Sequence, residues 1–192
     1  VKNTPEILKD LGVFDEGKVV LDIGCGMANI PLWCLKNKIK IKYLGIDVRK
    51  QAIEICRNII DATDMKDDFH FEHLNIYNAA YNQFGKMLPE LMNLPVEDDS
   101  VNAVICHSLF THLDTEAVAI RYMREIDRVL RKGGILWTSW FLFPPNIKSE
   151  GAIRTVYDKK FVDTLLKDYE MLINFGGETD GYHDQWYVGV RK

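Results

Sequence analysis

Alternation constrains this chain more than any other feature: short β-branched runs end in turns, and apolar patterns at helical spacing follow them. Residues 18–22 (KVVLD) run into a Gly-rich turn, and an apolar helical pattern begins at 30–35. Residues 41–47 (IKYLGID) repeat the unit, since Ile53, Cys56, Ile59 and Ile60 share one helical face within 49–60. A third strand is expected at 69–74, followed by a loop over 77–99 whose Asn, Gly and Pro content opposes long regular structure. Residues 101–106 (VNAVIC) are the fourth strand. A helix over 114–131 carries Val118, Tyr122, Ile126 and Val129 on one face, until Gly133 and Gly134 stop it. The fifth strand is 135–142. After Pro144-Pro145, Asp158 caps a helix through Leu166, and 169–175 with 185–190 close the chain as a hairpin.

Strands separated by helices require a mostly parallel sheet with right-handed crossovers and helices on both faces. The expectation is therefore a three-layer α/β fold of seven strands, the last antiparallel, in one domain spanning 1–192. A length of 192 residues suits a single domain, and 47% hydrophobic with 27% charged residues excludes disordered and fibrous classes. A net charge of −4 gives no global field for gripping a phosphate backbone, so no nucleic-acid partner is expected. No apolar run approaches the ~18 residues that span a bilayer, and the first residues show no signal-peptide pattern. A cytoplasmic protein without membrane association is expected. Cys25, Cys34, Cys56 and Cys106 show no CxxC pair and no zinc-type His spacing, so they read as reduced thiols rather than metal ligands.

Open sheets of this kind bind ligands beyond the carboxyl ends of their strands, near the point where strand order reverses. That rule gathers 22–28, Asp47, Asn75, 106–112 and 141–145 on one edge. The closing strand runs antiparallel, so its start, His183-Asp184-Gln185, returns to the same edge. In Asp22-Ile-Gly24-Cys25-Gly26-Met-Ala28 the glycines let the backbone turn tightly and approach a ligand without a Cβ in the way. Asp47 ends the next strand, 21 residues beyond Gly26, where a carboxylate can accept from both ribose hydroxyls. Together they describe an adenine nucleoside site. An NAD(P)-dependent oxidoreductase is the rival reading. However, its fingerprint needs a third glycine where Asn29 stands, and Asp22 faces a pyrophosphate unfavourably. A plain strand-to-helix turn with Asp47 as a helix cap is the structural alternative.

The ordered set VVLDIGCGMANIPL, YLGID, HLNIYN, LPVEDDSVNAVICHSLFTHL and EIDRVLRKGGILWTSWF, spanning 19–143, resembles the class I S-adenosylmethionine-dependent methyltransferases. The YNAAYNQFG loop and the late HDQ look like small bacterial-type members. The resemblance implies a Rossmann-like fold and S-adenosylmethionine as cofactor. It places Asp22, Gly24 and Gly26 at the methionine moiety, Asp47 at the ribose, Val48 and Ile76 on the adenine, and Asn75 beside its amino group; Cys25, within the glycine motif, is also expected to bind the cofactor. Two departures stand out: Ala28 replaces a frequent third glycine, which a negative φ would tolerate, and Asn75 replaces an acid.

Methyl transfer from a sulfonium is an in-line displacement that must align the reactants and, for a hydroxyl acceptor, remove a proton. His112, five residues beyond His107 at the end of the fourth strand, is the first choice of base, and His183 beside Asp184 the second. His107 is expected to line the cofactor pocket. The motif of amino-group methylation on bases is absent after strand four, and Cys106-His107 offers no hard oxygen ligands for magnesium. Substrate walls are expected from Tyr77, Asn78, Tyr81, Asn82 and Phe84, from 140–143 including Phe141, and from the 176–183 loop. Rings mixed with amides suit a polar small-molecule or glycan-type acceptor. The non-enzyme alternative is a cofactor-binding scaffold subunit, which fold alone does not exclude.

Overall fold

The β-branched runs become the central strands of one sheet. In the computed structural model, which describes residues 3–142, 155–179 and 183–192 but not the side chains of 177–179, 183 and 184, β1 (Val19–Ile23) lies between β2 (Lys42–Asp47) and β4 (Val101–Cys106). The path runs β3 (Phe69–His73), β2, β1, β4, β5 (Leu130–Leu142), then β8 (His183–Arg191) and β7 (Glu170–Thr179). The first five are mutually parallel; β8 is antiparallel to both of its neighbours. These are the expected seven strands, and β6 (Val156–Tyr157) adds a two-residue eighth beside the end of β5.

Side-chain alternation along β1 divides the core. Val20 packs with Tyr43, Ile105 and Trp137 under Leu8 of α1 (Thr4–Asp10), Cys34 of α2 (Asn29–Lys36), and Ile53 and Ile60 of α3 (Lys50–Asp61). Leu21 packs on the opposite face with Ile46, Val104 and Leu136. There it meets Ile126 of α4 (Glu116–Val129), Val162 of α5 (Lys159–Leu165), and Met92 and Leu94 of the β3–β4 crossover. Parallel strands buried on both faces need such continuous apolar runs, and β4 is buried at five of its six positions. Among the described residues, no helix is long and apolar enough to cross a membrane.

Three local differences have clear causes. The N-terminal helix α1 was not anticipated, although Asn3 and Glu6 form a reciprocal capping box with Pro5 in the first turn. The strand β5 starts at Leu130, so the chain passes from helix to strand without a loop, and the expected glycine stop is corrected. Gly133, at φ +77°, and Gly134 sit inside β5 at its register shift against β4, where a Cβ on Gly134 would lie 2.8 Å from the Arg131 carbonyl oxygen. The crossover from β3 to β4 has no α-helix, only a 3₁₀ turn at Pro89–Leu91, as its composition predicts. The Pro144-Pro145 break lies outside the described residues.

Candidate functional site

The carboxyl ends of β1, β2 and β4 frame a cavity of about 210 Å³ at the expected switch point. Gly24, which lines it, opens a turn of left-handed residues: Gly24 at φ +78°, Gly26 at +61° and Ala28 at +65°. The negative φ under which Ala28 was expected to be tolerated is thus not what the turn adopts. The turn is pinned to β2, because Gly24 and Cys25 both donate their N–H to the Ile46 carbonyl, at 2.7 and 3.1 Å. A Cβ on Gly24 would reach Leu109 Cδ1 at 3.5 Å, so the glycine lets backbone and cavity wall approach closely.

Asp47 also lines the cavity and meets this turn, only 5% exposed. Its Oδ2 accepts from Gly26 N at 3.0 Å and its Oδ1 from Arg49 N at 2.8 Å. The Arg49 guanidinium adds Nε to Oδ1 at 3.2 Å and Nη2 to Oδ2 at 3.3 Å. Val48, Leu74, Ile76, Leu109, Leu113, Val118 and Tyr122 supply the cavity's apolar lining. His107 and His112 line the same cavity. His107 stacks on Tyr187 with centroids 5.8 Å apart, and its buried Nδ1 finds no partner among the described residues. Burial pushes its pKa down, which keeps the imidazole neutral. His112 meets Tyr81 edge-on, with both ring nitrogens 3.4 Å from the phenol oxygen.

Several expected residues support the cavity from behind it. Asp22 is buried against Tyr43, whose hydroxyl donates to its Oδ2 at 2.6 Å, and does not line the wall. Loss of solvent pushes the Asp22 pKa up to about 7; the Tyr43 hydrogen bond opposes the rise and the nearby Asp47 charge adds to it. Cys25 is likewise buried, beside Cys56, whose thiol donates to the Gly26 carbonyl at 3.3 Å. Asn75 accepts at its Oδ1 from Asn82 Nδ2, which also donates to the Ile76 carbonyl, so this pair ties the loop to itself away from the cavity wall. Asn78 lines the cavity with its amide already engaged: Oδ1 accepts from Ala80 and Tyr81 N–H, and Nδ2 donates to the His112 carbonyl at 3.0 Å.

Tyr77 and Tyr81 stand on the wall as expected, whereas Phe84 is 92% exposed and walls nothing. Phe141 is buried between β6 and β8, and Trp140 stacks on Phe110 in the core, so neither faces the cavity. His183 opens β8 opposite Thr179 and returns to the correct edge with its strand; its side chain lies outside the described residues. Gln185 reaches in from that strand, Nε2 lying 3.4 Å from Ser108 Oγ. Arg49, Leu109 and Tyr122 were missed. Tyr122 belonged to a helical stripe that also builds core, and the turn that folds Arg49 onto Asp47 has no sequence signal. Among the described residues, no three His, Cys, Asp or Glu side chains converge as metal ligands.

The profile of a family described as a methyltransferase domain matches residues 21–138. "Probable tRNA methyltransferase 9B" of Mus musculus is 27% identical over 135 residues, 70% of this chain and 24% of that protein. The chain spans less than two thirds of the length of the curated relatives it resembles. Among solved structures, the [4+2]-cyclase SpnF superposes with a TM-score of 0.74 at 16% identity, covering 98% of this chain and 80% of that one. A SAM-dependent methyltransferase from Methanosarcina mazei gives 0.72 at 16% identity, covering 100% and 99%. At that identity both likenesses concern the fold.

Proposed function

The chain belongs to the methyltransferase domain family, and from that membership we propose that it transfers the methyl group of S-adenosylmethionine to a hydroxyl of a small-molecule or glycan-type acceptor, without a metal ion. One observation carries the reading: Gly24 of the glycine turn, Asp47 and His112 line one cavity, with Gly26 N bonded to Asp47. Gly24, Gly26, Asp47, Val48 and Ile76 would hold the cofactor. The fit rests on the left-handed turn beside the cavity, the apolar Val48, Leu74 and Ile76 in its lining, and the buried, unpartnered Nδ1 of His107, another lining residue. When bound, S-adenosylmethionine supplies a methyl group on a good leaving group.

The protein then contributes alignment and proton removal. His112 takes the acceptor proton at a ring nitrogen, and Tyr81 steadies the imidazole through its edge contact and hydroxyl. His107, neutral and half-buried, serves as wall and as a hydrogen-bonding group for the ligand. Tyr77 and Tyr81 offer flat faces to the acceptor. Four buried, unpaired cysteines suit a reducing compartment, which makes the cytoplasm part of this proposal.

The test is formation of S-adenosylhomocysteine with a pooled extract of polar metabolites, beside a bulk tRNA sample prompted by the named relative. Turnover with the metabolites, unaffected by EDTA, supports the reading. Turnover with tRNA alone replaces the acceptor class, and none with either favours a cofactor-binding scaffold.

A further inference from the structure

The Asp47 carboxylate is already saturated. Each carboxylate oxygen offers about two in-plane acceptor sites, and each of these two accepts twice: Oδ1 from Arg49 N and Nε, Oδ2 from Gly26 N and Arg49 Nη2. A pair of ribose hydroxyls gains access only if two of those donors leave. The two backbone N–H groups are fixed by the turn and make the shorter bonds, at 3.0 and 2.8 Å. The guanidinium bonds are longer, at 3.2 and 3.3 Å, and the Arg49 side chain is 38% exposed. The guanidinium is therefore the group that yields.

Arg49 also extends over the glycine turn, with Nη2 3.6 Å from where a Cβ on Gly26 would stand. Its guanidinium lies 5.4 Å from the centroid of Tyr81, the ring that contacts His112. Among the described residues it is the only lysine or arginine on the cavity wall. One side chain thus touches the ribose carboxylate, the glycine turn and the acceptor wall.

We propose that Arg49 competes with the ribose hydroxyls for Asp47 and braces Tyr81 while it does so, making it the residue that sets donor affinity and couples donor binding to the acceptor wall. The proposal rests on the donor-site reading above. Arg49 is a positioning residue: it acts through Asp47 and Tyr81 and takes no part in bond making. The Arg49 end of this pair is open to solvent although Asp47 is buried, so salt weakens it in part. Donor affinity of the parent should therefore rise with ionic strength, while that of a variant lacking the cation should not.

The experiment is calorimetric titration of the parent, Arg49→Met and Arg49→Lys with S-adenosylhomocysteine and, separately, with adenosine, at low and high salt. Arg49→Met should bind both ligands about three- to tenfold more tightly than the parent at low salt, in keeping with a partly exposed ion pair, and lose the salt dependence. Arg49→Lys, which keeps the charge and loses the fork, should fall between. Hydrogen exchange gives a second readout. The amides of Tyr81, Asn82 and Gly85, bonded within the 78–85 turn, should exchange faster in ligand-free Arg49→Met than in ligand-free parent. Weaker S-adenosylhomocysteine binding with unchanged adenosine binding in Arg49→Met would make Arg49 a contact for the amino-acid end and overturn the competition. Unchanged exchange would overturn the coupling to Tyr81. A folded parent that binds neither ligand fails the donor-site reading itself, and this proposal with it.

Discussion

Asp22 carries its charge at a cost that pH exposes. Its pKa rises from an ordinary 3.8 to about 7 in the fold, chiefly through burial. Between those values the folded chain keeps a proton that the unfolded chain releases. This group's contribution to stability is therefore full below the unfolded value and is lost as pH rises toward the folded one. Asp22→Asn keeps an acceptor for Tyr43 and removes the titration. Urea unfolding should show it to be roughly 1–3 kcal/mol more stable than the parent at about pH 8, with a flatter pH slope; an unchanged slope would refute the assignment. His112→Ala addresses catalysis at the same scale. It should lower kcat by roughly 10²–10⁴-fold while donor affinity survives, as expected for a lost general base. Near-parental turnover together with loss in His183→Ala would move the base to β8. Ala28 shows where residue type misleads. Its left-handed φ follows from a turn built on Gly24 and Gly26, and the side chain alone points the other way.

At the scale of elements, the β3–β4 crossover shows how a long segment without a helix is held. Glu125 of α4 is 5% exposed and accepts from Leu94 N at 2.9 Å and Arg128 Nη2 at 2.7 Å, with Arg121 Nη2 at 3.3 Å. Arg128 in turn donates to the carbonyls of Leu94 and Val96 and to Asp98. Burial raises the Glu125 pKa, but the Arg128 bond, the Leu94 N–H and the Arg121 charge outweigh it and hold the carboxyl below its usual value. Stability from this clasp is therefore lost as pH falls through that depressed pKa. Glu125→Ala leaves the buried Leu94 N–H unpaired and removes the anion that Arg121 and Arg128 share, while both guanidinium groups keep their carbonyl acceptors. It should cost about 1–3 kcal/mol in urea unfolding, against near-zero for Lys159→Ala at an exposed helix pair. Alternation made the elements legible. The fourth strand, 101–106, falls where VNAVIC placed it, and Asp158 does cap α5 by accepting from Lys160 N. The start of β5 was hidden because Gly133-Gly134 reads as a helix stop, whereas pairing with β4 decides the boundary. Asp47 could be read from a strand end, and Val48 and Ile76 only through the family resemblance. The Arg49 clasp and the retreat of Asp22, Asn75 and Phe141 from the cavity depend on side-chain directions that spacing does not encode.

For the whole molecule, sheet order decides where chemistry can occur. It brings β1, β2 and β4 to one edge and folds β8 back so that Gln185 reaches Ser108 from the far end of the chain. Fold alone leaves the reaction open, as the likeness to a [4+2]-cyclase shows. The central claim is that this edge holds an adenosylmethionine rather than a dinucleotide, with Asp47 as its anchor. Thermal unfolding with each ligand tests it most directly, because a ligand at 100 times its dissociation constant adds about 2.7 kcal/mol to stability. S-adenosylmethionine should raise the parent's Tm, NAD(H) should leave it unchanged, and Asp47→Ala should lose the response. A rise with NAD(H) alone, or an undiminished response to S-adenosylmethionine in Asp47→Ala, would contradict the account.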